Sequence, residues 1–318
     1  MTPVKAHKFG FILSRKNNTL LIIAGPTAVG KTDLCINLAK KFNTCIVSAD
    51  SRQFFNEMKI GTAKPTENEL SQTKHYLINS LSIKDDYDVG KFEKDALTLL
   101  DRLFKKHRLV ILSGGSGMYL DAVAHGMDDI PAVDETLRNQ LNNEFTQGGL
   151  KLLQQKLLKI DPQYYQTVDL NNPHRIIRAL EVSMGTGLPF SSFRVKKKAE
   201  RPFDVLKIGL ERQREELYER INHRIEKMIS DGLFEEAETL YPLRHLNALN
   251  TVGYKEIFPY LEGNYDKQEA TRLLKRNSRR YAKRQMTWFR KDPAYHWFHP
   301  SRINEIYEFV EGQIGMGE

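Results

Sequence analysis

One stretch near the start of the chain, LLIIAGPTAVGKTDLCINLAKKF at residues 20–42, limits the possible folds more than any other. An apolar run leads into a glycine-rich loop with the spacing Gly-x-x-x-x-Gly-Lys-Thr, and apolar residues follow at helical spacing. A strand, such a loop and a helix form a phosphate-binding loop, because backbone N–H groups and the positive end of the helix converge on phosphate oxygens. The loop residues are Gly25, Pro26, Thr27, Ala28, Val29, Gly30, Lys31 and Thr32.

Two side chains at the end of this loop add chemistry to the backbone cradle. Lys31 supplies a full positive charge to a bound polyphosphate, and the Thr32 hydroxyl is placed to bind Mg²⁺. A glycine-rich turn with no ligand is the alternative, and the flanking strand and helix disfavour it. The loop therefore predicts a polyphosphate site with a magnesium ion beside it.

Further apolar runs predict a parallel sheet around the loop. Residues 45–47 and 109–112 are uninterrupted apolar runs, as in parallel strands that are covered on both faces, and residues 205–210 indicate another strand. Helical stretches separate these runs. The predicted fold class is therefore α/β, a P-loop NTPase-like doubly wound parallel sheet.

The texture of the sequence changes after Pro131, where the chain becomes polar with helical periodicity. We expect residues 131–200 to form a helical insertion domain. Residues 1–130 and 201–318 then form the α/β catalytic core, which has a mostly helical C-terminal part that includes a long basic helix.

Cysteine content and apolar run lengths bear on the compartment. Only two cysteines occur, Cys35 and Cys45, which argues for a reducing environment and against a disulfide framework or a zinc site. The apolar run at residues 9–13 is too short for a signal peptide, and no run approaches the roughly 20 residues of a membrane span. We expect a cytoplasmic protein.

The carboxylates near the loop do not follow the pattern of a hydrolase. A P-loop ATPase or GTPase holds its metal with an Asp at the end of a neighbouring strand. Here the run at residues 109–112 ends in Ser-Gly-Gly, and Asp50 instead follows the run at residues 45–47. A carboxylate at that position suits an approaching substrate better than a water attacking a γ-phosphate. The pattern disfavours hydrolysis.

A basic helix is predicted near the C-terminus, in a chain of net charge +8. From Ala270 to Lys291 there are nine Lys or Arg residues and no acid. Those expected to share one broad face are Arg272, Lys275, Arg276, Arg279, Lys283 and Arg290. A merely solvated helix is the alternative, but like charges this close favour a face that neutralises a phosphate backbone. Tyr281, Trp288 and Phe289 are expected to pack on the other face.

A polyphosphate loop without a hydrolytic carboxylate, beside a nucleic-acid-binding helix, indicates a transferase that acts on RNA, with the phosphate as leaving group. Seven motifs then recur in one order over about residues 20–300. They are GPTAVGKT (25–32), SADSRQ (48–53), IGTAKP (60–65), GGSGMY (114–119), NPHRIIRALE (172–181), VGYK (252–255) and KRQMTWFR (283–290). With these motifs the chain closely resembles the tRNA dimethylallyltransferase (tRNA isopentenyltransferase) family.

The resemblance implies transfer of a dimethylallyl group from dimethylallyl diphosphate to N6 of the adenosine on the 3′ side of the anticodon. Asp50 matches the family's general base, and Arg224 matches its diphosphate arginine. Arg220 lies one turn earlier and is either a second diphosphate ligand or a surface arginine. Ser116 stands where the family usually has Thr, and either serves the reaction or caps the next helix. Phe55 replaces the family's usual Tyr.

The resemblance also implies a tRNA-binding surface, with the insertion clamping the anticodon stem-loop. The oligomeric state stays open, and one tRNA per monomer is the simpler expectation. Single arginines in the insertion have a plain alternative, since each is equally expected as a solvated or acid-paired residue. The residues that match family tRNA contacts are Asp50, Ser51, Arg52, Gln53, Ser116, Arg138, His174, Arg175, Ile176, Ile177, Arg178, Asn250, Thr251, Val252, Gly253, Tyr254, Lys255, Lys283, Arg284, Gln285, Met286, Thr287, Trp288, Phe289 and Arg290.

Three other functions stay open at this point. A P-loop kinase of a small metabolite would consume ATP and would not need the basic helix. A prenyltransferase acting on free AMP would not need the insertion or the basic helix, because a free nucleotide has no anticodon stem. A non-enzymatic RNA-binding module would leave Lys31, Thr32 and Asp50 without a role.

Overall fold

The computed structural model of the chain describes residues 18–195 and 199–315, so the apolar run at residues 9–13 lies outside the described part. The described strands are β1 (Thr19–Ala24), β2 (Ile46–Ser48), β3 (His75–Tyr76), β4 (Leu109–Gly114), β5 (Asp204–Leu210) and β6 (Tyr295–Phe298). The described α-helices are α1 (Lys31–Lys41), α2 (Glu67–Gln72), α3 (Val89–Leu103), α4 (Gly117–His125), α5 (Glu135–Ile160), α6 (Pro162–Tyr165), α7 (Pro173–Thr186), α8 (Phe190–Phe193), α9 (Arg214–Ser230), α10 (Leu233–Leu240), α11 (Tyr254–Leu261), α12 (Lys267–Phe289) and α13 (Ile303–Ile314).

The strands form one parallel sheet in the order β3-β2-β4-β1-β5-β6. Strand β1 is central, with Leu21 opposite Ile111 of β4 and Leu206 of β5. The phosphate-binding loop therefore emerges from the middle of the sheet. The predicted α/β class is confirmed, while the short strands β3 and β6 were not foreseen because neither forms a continuous apolar run.

The sheet is covered on both faces, which accounts for its uninterrupted apolar strands. In β1, Leu21 and Ile23 belong to one hydrophobic core, whereas Leu20 and Ile22 belong to the core on the opposite face. All four side chains are fully buried. Because successive residues of a strand point to opposite faces, a strand in this position needs apolar residues at every place.

Residues 125–200 form a compact unit separate from the rest of the described chain. The unit contains helices α5 to α8 and has its own hydrophobic core, in which Leu141, Leu157, Ile176 and Leu180 are fully buried. Helix α5 is interrupted at Gly149, whose φ of 67° is readily adopted only by glycine. The sequence had placed the start of this insertion at residue 131.

The C-terminal part of the core is mostly helical, with α12 packed against α9 and α11. Helix α12 begins after Asp266, whose side chain accepts a hydrogen bond from the Glu269 N–H. Its buried positions are Ala270, Leu274, Ala282, Gln285 and Phe289. Among the described helices, none combines the length and apolarity needed to cross a membrane.

Candidate active site

The phosphate-binding loop connects β1 to α1, as its sequence predicts. Gly30 precedes the helix with a φ of 109°, a conformation that a side chain would strain. The Lys31 Nζ donates hydrogen bonds to the carbonyl oxygens of Gly25 at 2.9 Å and Pro26 at 3.0 Å. The lysine therefore lies over the loop, where its charge faces any anion bound by the backbone N–H groups.

A cavity of about 420 Å³, here called the loop cavity, opens beside this loop. It brings together side chains from the loop, from the segment after β2, from α9 and from α12. The predicted site residues that line it are Thr27, Ala28, Val29, Gly30, Lys31, Thr32, Asp50, Arg52, Gln53, Arg220, Arg224, Thr251, Val252, Gly253 and Gln285. Sequence positions more than 200 residues apart thus meet in one site.

Buried charges dominate the electrostatics of the loop cavity. Burial lowers the pKa of Lys31 to about 8, although the nearby Asp50 carboxylate partly opposes the shift. Burial likewise lowers the pKa of Arg224, again against the attraction of Asp50. Two desolvated cations close to one carboxylate form an environment in which an added polyanion would be stabilised.

Asp50 lies two residues after β2, at the carboxyl edge of the sheet. One of its carboxylate oxygens accepts a hydrogen bond from the Arg52 N–H at 3.1 Å, and its own N–H donates to the Ser48 Oγ at 3.3 Å. This turn fixes the carboxylate at the cavity wall. Asp50 therefore lies where a substrate opposite the phosphate-binding loop would approach.

Ser116 lies in the loop after β4 and is hydrogen-bonded to the loop after β2, at the carboxyl edge of the sheet. Its Oγ accepts a hydrogen bond from the Ser51 N–H at 3.1 Å and donates to the Ser51 Oγ at 3.1 Å. Its hydroxyl is thus bonded to the residue that follows Asp50. Phe55, the other departure from the family pattern, is buried in the core rather than lining the cavity.

Helix α9 places Arg220 and Arg224, the two arginines assigned to the diphosphate by resemblance, at the wall of the loop cavity. The Arg220 Nε donates to the Ala28 carbonyl at 2.9 Å, and a terminal nitrogen of Arg224 lies 3.5 Å from the Ala63 carbonyl. Arg212, which the sequence did not single out, holds the loop from outside by donating from its Nε to the Val29 carbonyl at 2.8 Å.

Residues 59–61 are held by Glu236, another residue that the sequence analysis did not single out. Its carboxylate accepts hydrogen bonds at 2.8 Å from the N–H groups of Lys59, Ile60 and Gly61. It also accepts one from the Tyr254 hydroxyl at 2.7 Å. The Tyr254 side chain is completely buried, which corrects its assignment to a tRNA-binding surface.

A second hollow of about 430 Å³, here called the basic hollow, collects predicted tRNA-binding residues from separate parts of the chain. Those residues are Ser51, Arg52, Asn250, Thr251, Val252, Lys255 and Arg284. The basic hollow and the loop cavity have Arg52, Thr251, Val252 and Tyr281 in common. Burial raises the pKa of Tyr281 to about 12, so its hydroxyl is neutral in this wall.

The cationic face of α12 differs from the predicted one. Lys275 pairs with Glu226 at 2.6 Å, Arg272 with Glu269 at 2.6 Å, and Arg290 with Glu211 at 3.0 Å. Helical spacing did not predict these ion pairs. Arg272 and Arg290 stay 60% and 65% exposed, so their assignment to a phosphate-binding face stays a prediction. Helical spacing assigned them correctly to a face but contained no information on the acids packed beside it.

A different set of α12 cations faces outward. No carboxylate of the described residues forms an ion pair with Arg280, Lys283, Arg284 or Lys291. Together with Thr287 and Trp288 these four line a shallow hollow. Lys291 lies two residues after the end of α12. We call Arg280, Lys283, Arg284 and Lys291 together the outer cations of α12.

Three side chains of the KRQMTWFR motif require correction. Gln285 is only 6% exposed, so its side chain is not presented to a nucleic acid. Phe289 is buried in the hydrophobic core, which confirms the packing predicted for it and corrects only its assignment to the tRNA contacts. Trp288, expected to pack inward, is 41% exposed and donates from its Nε1 to the Asp121 carboxylate at 2.9 Å. Met286 is half-buried and Thr287 is exposed.

In the insertion, the predicted tRNA-binding residues divide into three groups. Ile176 and Ile177 are buried in the core of that unit, which corrects their assignment to a contact surface. Arg138 and Arg178 both pair with the buried carboxylate of Glu181, Arg138 at 3.0 Å. His174 and Arg175 are exposed at the start of α7.

The loop cavity offers oxygen donors to a metal ion. The described residues contain no cluster of three or more His, Cys, Asp or Glu side chains arranged to hold one. The Thr32 hydroxyl and the carboxylates of Asp33 and Asp50 line the cavity. These hard oxygen donors fit Mg²⁺, which keeps several waters and binds substrate phosphates.

Sequence comparisons identify relatives of this chain over most of its length. A sequence model described as IPP transferase matches residues 53–292. A tRNA dimethylallyltransferase from Christiangramia forsetii is 52% identical to this chain over 299 residues, which cover 94% of this chain and 99% of that protein. A tRNA dimethylallyltransferase 1 from Bacteroides thetaiotaomicron is 48% identical over 295 residues, covering 93% and 96% of the two chains.

Solved structures are also similar. The full-length tRNA isopentenylpyrophosphate transferase from Bacillus halodurans has a TM-score of 0.70 and 38% identity, covering 94% of this chain and 97% of that chain. A eukaryotic dimethylallyltransferase acting on tRNA has a TM-score of 0.70 and 25% identity, covering 85% and 69% of the two chains. The match over most of the sequence confirms the predicted resemblance. This chain belongs to the IPP transferase family.

Proposed function

We propose that this chain is an enzyme that transfers a dimethylallyl group from dimethylallyl diphosphate to N6 of the adenosine 3′-adjacent to the anticodon in tRNA. The observation that carries the proposal is the wall common to the loop cavity and the basic hollow. Because Arg52, Thr251, Val252 and Tyr281 line both cavities, a nucleotide bound in the basic hollow would lie next to the cavity that contains Asp50 and the phosphate-binding loop. The names of the relatives, which describe dimethylallyl or isopentenyl transfer to tRNA, support the same activity.

The donor diphosphate binds at the phosphate-binding loop. Backbone N–H groups of the loop, Lys31 and Arg224 stabilise the charge that grows on the diphosphate as it leaves. Arg220 is committed through its Nε to the Ala28 carbonyl, so its contribution is to hold the loop as well as to face the anion. This arrangement lowers the barrier to breaking the bond between the allylic carbon and oxygen.

Asp50 acts as the general base. The N6 nitrogen attacks the allylic carbon, the carbon–oxygen bond breaks with its electron pair going to the diphosphate, and one N6 proton passes to Asp50. An exocyclic adenine amine is a weak nucleophile, so removal of its proton as the new bond forms is needed. The Arg52 N–H keeps one Asp50 oxygen fixed, which orients the other for this transfer.

The target adenosine leaves its stack to reach this site, as in other enzymes that act on a base. Ser51, Arg52 and Gln53 line its path, and Ser116 holds Ser51 in place. The outer cations of α12 contact the RNA backbone beside the basic hollow. Residues 125–200, with Arg138, His174, Arg175 and Arg178, grip the anticodon stem-loop.

Mg²⁺ would be held by the Thr32 hydroxyl together with the donor phosphates, where it would neutralise charge on the leaving group. We also propose that each monomer binds one tRNA and that the protein acts in the cytoplasm.

The test is incubation of the purified protein with labelled dimethylallyl diphosphate, Mg²⁺ and total tRNA, followed by digestion and nucleoside analysis. We expect N6-isopentenyladenosine and release of diphosphate. A parallel reaction with labelled ATP tests for a kinase or ATPase activity, and another with AMP as acceptor tests for prenylation of a free nucleotide. Phosphate release from ATP with unmodified tRNA, or prenylation of AMP but not tRNA, would contradict the proposal.

A further inference from the structure

Gln285 is the part of the basic helix that the proposed function leaves without a role. It lies in the most basic stretch of the chain, yet it is buried and bonded to two loops rather than exposed to RNA. We infer that Gln285 is a positioning residue for the donor: it fixes the phosphate-binding loop against the loop after β4 and makes no contact with tRNA. This inference rests on the proposed function, because it concerns the binding of the same diphosphate.

The amide of Gln285 uses both of its polar atoms on backbone. Its Oε1 accepts a hydrogen bond from the Thr27 N–H at 2.9 Å, and its Nε2 donates to the Gly115 carbonyl at 2.9 Å. One partner is a donor and the other an acceptor, so the orientation of the amide is determined by the two loops. Thr27 belongs to the phosphate-binding loop and Gly115 to the loop after β4.

Gly115 leaves the space that this amide occupies. A Cβ at position 115 would lie 2.3 Å from the Gln285 Nε2, a distance at which the two groups overlap. An alanine at position 115 would therefore displace the amide without removing it. The glycine and the glutamine form a matched pair across 170 residues of sequence.

The Gln285 contact connects the donor site with the loop next to the proposed base. Thr27 is part of the cradle for the leaving diphosphate, while Ser116, next to Gly115, is bonded to Ser51 beside Asp50. Loss of the Gln285 bridge would leave the Thr27 N–H and the Gly115 carbonyl without this partner. The two loops would then no longer hold the donor at a fixed distance from the base, and small errors in such distances are costly.

The experiment measures the binding of donor and tRNA separately, without relying on turnover. Inorganic pyrophosphate with Mg²⁺, and dimethylallyl diphosphate with Mg²⁺, are titrated by calorimetry; tRNA binding is followed by fluorescence anisotropy. For Gln285→Met, which has similar length and no amide, we expect about tenfold weaker binding of both diphosphates. We expect tRNA affinity to stay within about twofold of the unaltered protein, since buried Gln285 has no RNA contact to lose.

Four further variants sharpen the test. Gly115→Ala should reproduce the loss of diphosphate affinity, and the double variant should be no worse than either single one, because both break the same contact. Thr271→Ala, on the same helix and bonded only to the Lys267 carbonyl at 2.8 Å among the described residues, should leave diphosphate affinity unchanged. Lys283→Ala should weaken tRNA binding and leave diphosphate affinity unchanged.

Weaker tRNA binding by Gln285→Met with normal diphosphate binding would overturn the inference and make Gln285 an RNA contact. Unchanged binding of both ligands, or an equal loss of both, would overturn it as well. Should Gln285→Met fail to fold, Gly115→Ala decides the same question. Unaltered protein that prenylates tRNA while both variants bind diphosphate normally refutes only this inference. Unaltered protein that binds neither diphosphate refutes the proposed function too.

Discussion

The α/β core and the insertion place their predicted functional residues in different ways. In the core, one hydrogen bond joins Thr27 to Gln285 across 258 positions of sequence. In the insertion, Arg178 and its partner Glu181 are three residues apart on one helix. The core site is therefore assembled by the sheet and the helices packed on it. In the insertion, Glu181 holds one cation from its own helix, Arg178, and one from α5, Arg138, so its ion pairs combine local helical spacing with the packing of two helices.

The two regions also differ in the solvation of their charges. Lys31 and Arg224 are desolvated in the loop cavity, and the pKa of each is lowered by burial. Arg138 and Arg178 have side chains that are 50% and 36% exposed. Buried charges act strongly on a reacting group, while exposed charges act mainly on binding and are screened by salt. Changes in the core should alter turnover and donor binding, and changes on the exposed surfaces should alter tRNA binding.

The largest effect is expected at the base. Asp50→Asn keeps an oxygen to accept from the Arg52 N–H but removes the ability to take a proton. We expect kcat to fall by at least ~100-fold, within the usual range for a positioned base, with tRNA affinity unchanged. Single-turnover kinetics and tRNA titration measure the two quantities. Near-normal turnover would remove Asp50 from this role.

The next effect concerns the outer cations of α12. Replacing Arg280, Lys283 and Arg284 with Ala should weaken tRNA binding at least ~10-fold at 0.1 M salt and reduce the slope of log K against log salt by about 2 to 3. The matched control replaces Arg272 and Lys275, which pair with Glu269 and Glu226, and should change the slope little. If the control variant reduced the salt slope more than the outer-cation variant, the face predicted from helical spacing would be the one that binds RNA.

A pH dependence of donor binding should follow from Lys31. Its pKa of about 8 in the free protein means that the charged form, which attracts the diphosphate, is lost as pH rises through 8. A bound diphosphate raises that pKa, so affinity should be constant below this point and fall above it, by up to about tenfold per pH unit. Titrations of pyrophosphate across pH 6.5–9.5 in about half-unit steps measure this. Lys31→Ala is the control for ionisation of pyrophosphate itself, and its affinity should not begin to fall near pH 8.

The smallest effect is expected from Glu181 in the insertion. Glu181→Gln removes the charge that faces Arg138 and Arg178, so the local stability of this unit should fall by roughly 1–3 kcal/mol. Hydrogen exchange of the α7 amides, Pro173–Thr186, reports this local opening. Turnover at saturating tRNA should not change. A fall in kcat with normal exchange would contradict the division between the two regions.

Several features of the fold were predictable because their causes are local in sequence. The run at residues 20–24, the loop after it and α1 are contiguous, so periodicity and glycine spacing specified them together. Strands β2, β4 and β5 followed from their apolar runs. Strands β3, of two residues, and β6, of mixed polarity, carry no such local signal and form only because a neighbouring strand pairs with them.

The sequence by itself determined the phosphate-binding loop, the α/β class and, through seven ordered motifs, the family. Only the tertiary structure decided which α12 cations pair with carboxylates, that Gln285 bonds to two loops, and that Glu236 holds residues 59–61. Helical spacing sets the direction of a side chain relative to its own axis. It does not specify what is packed there, because those partners come from segments distant in the chain.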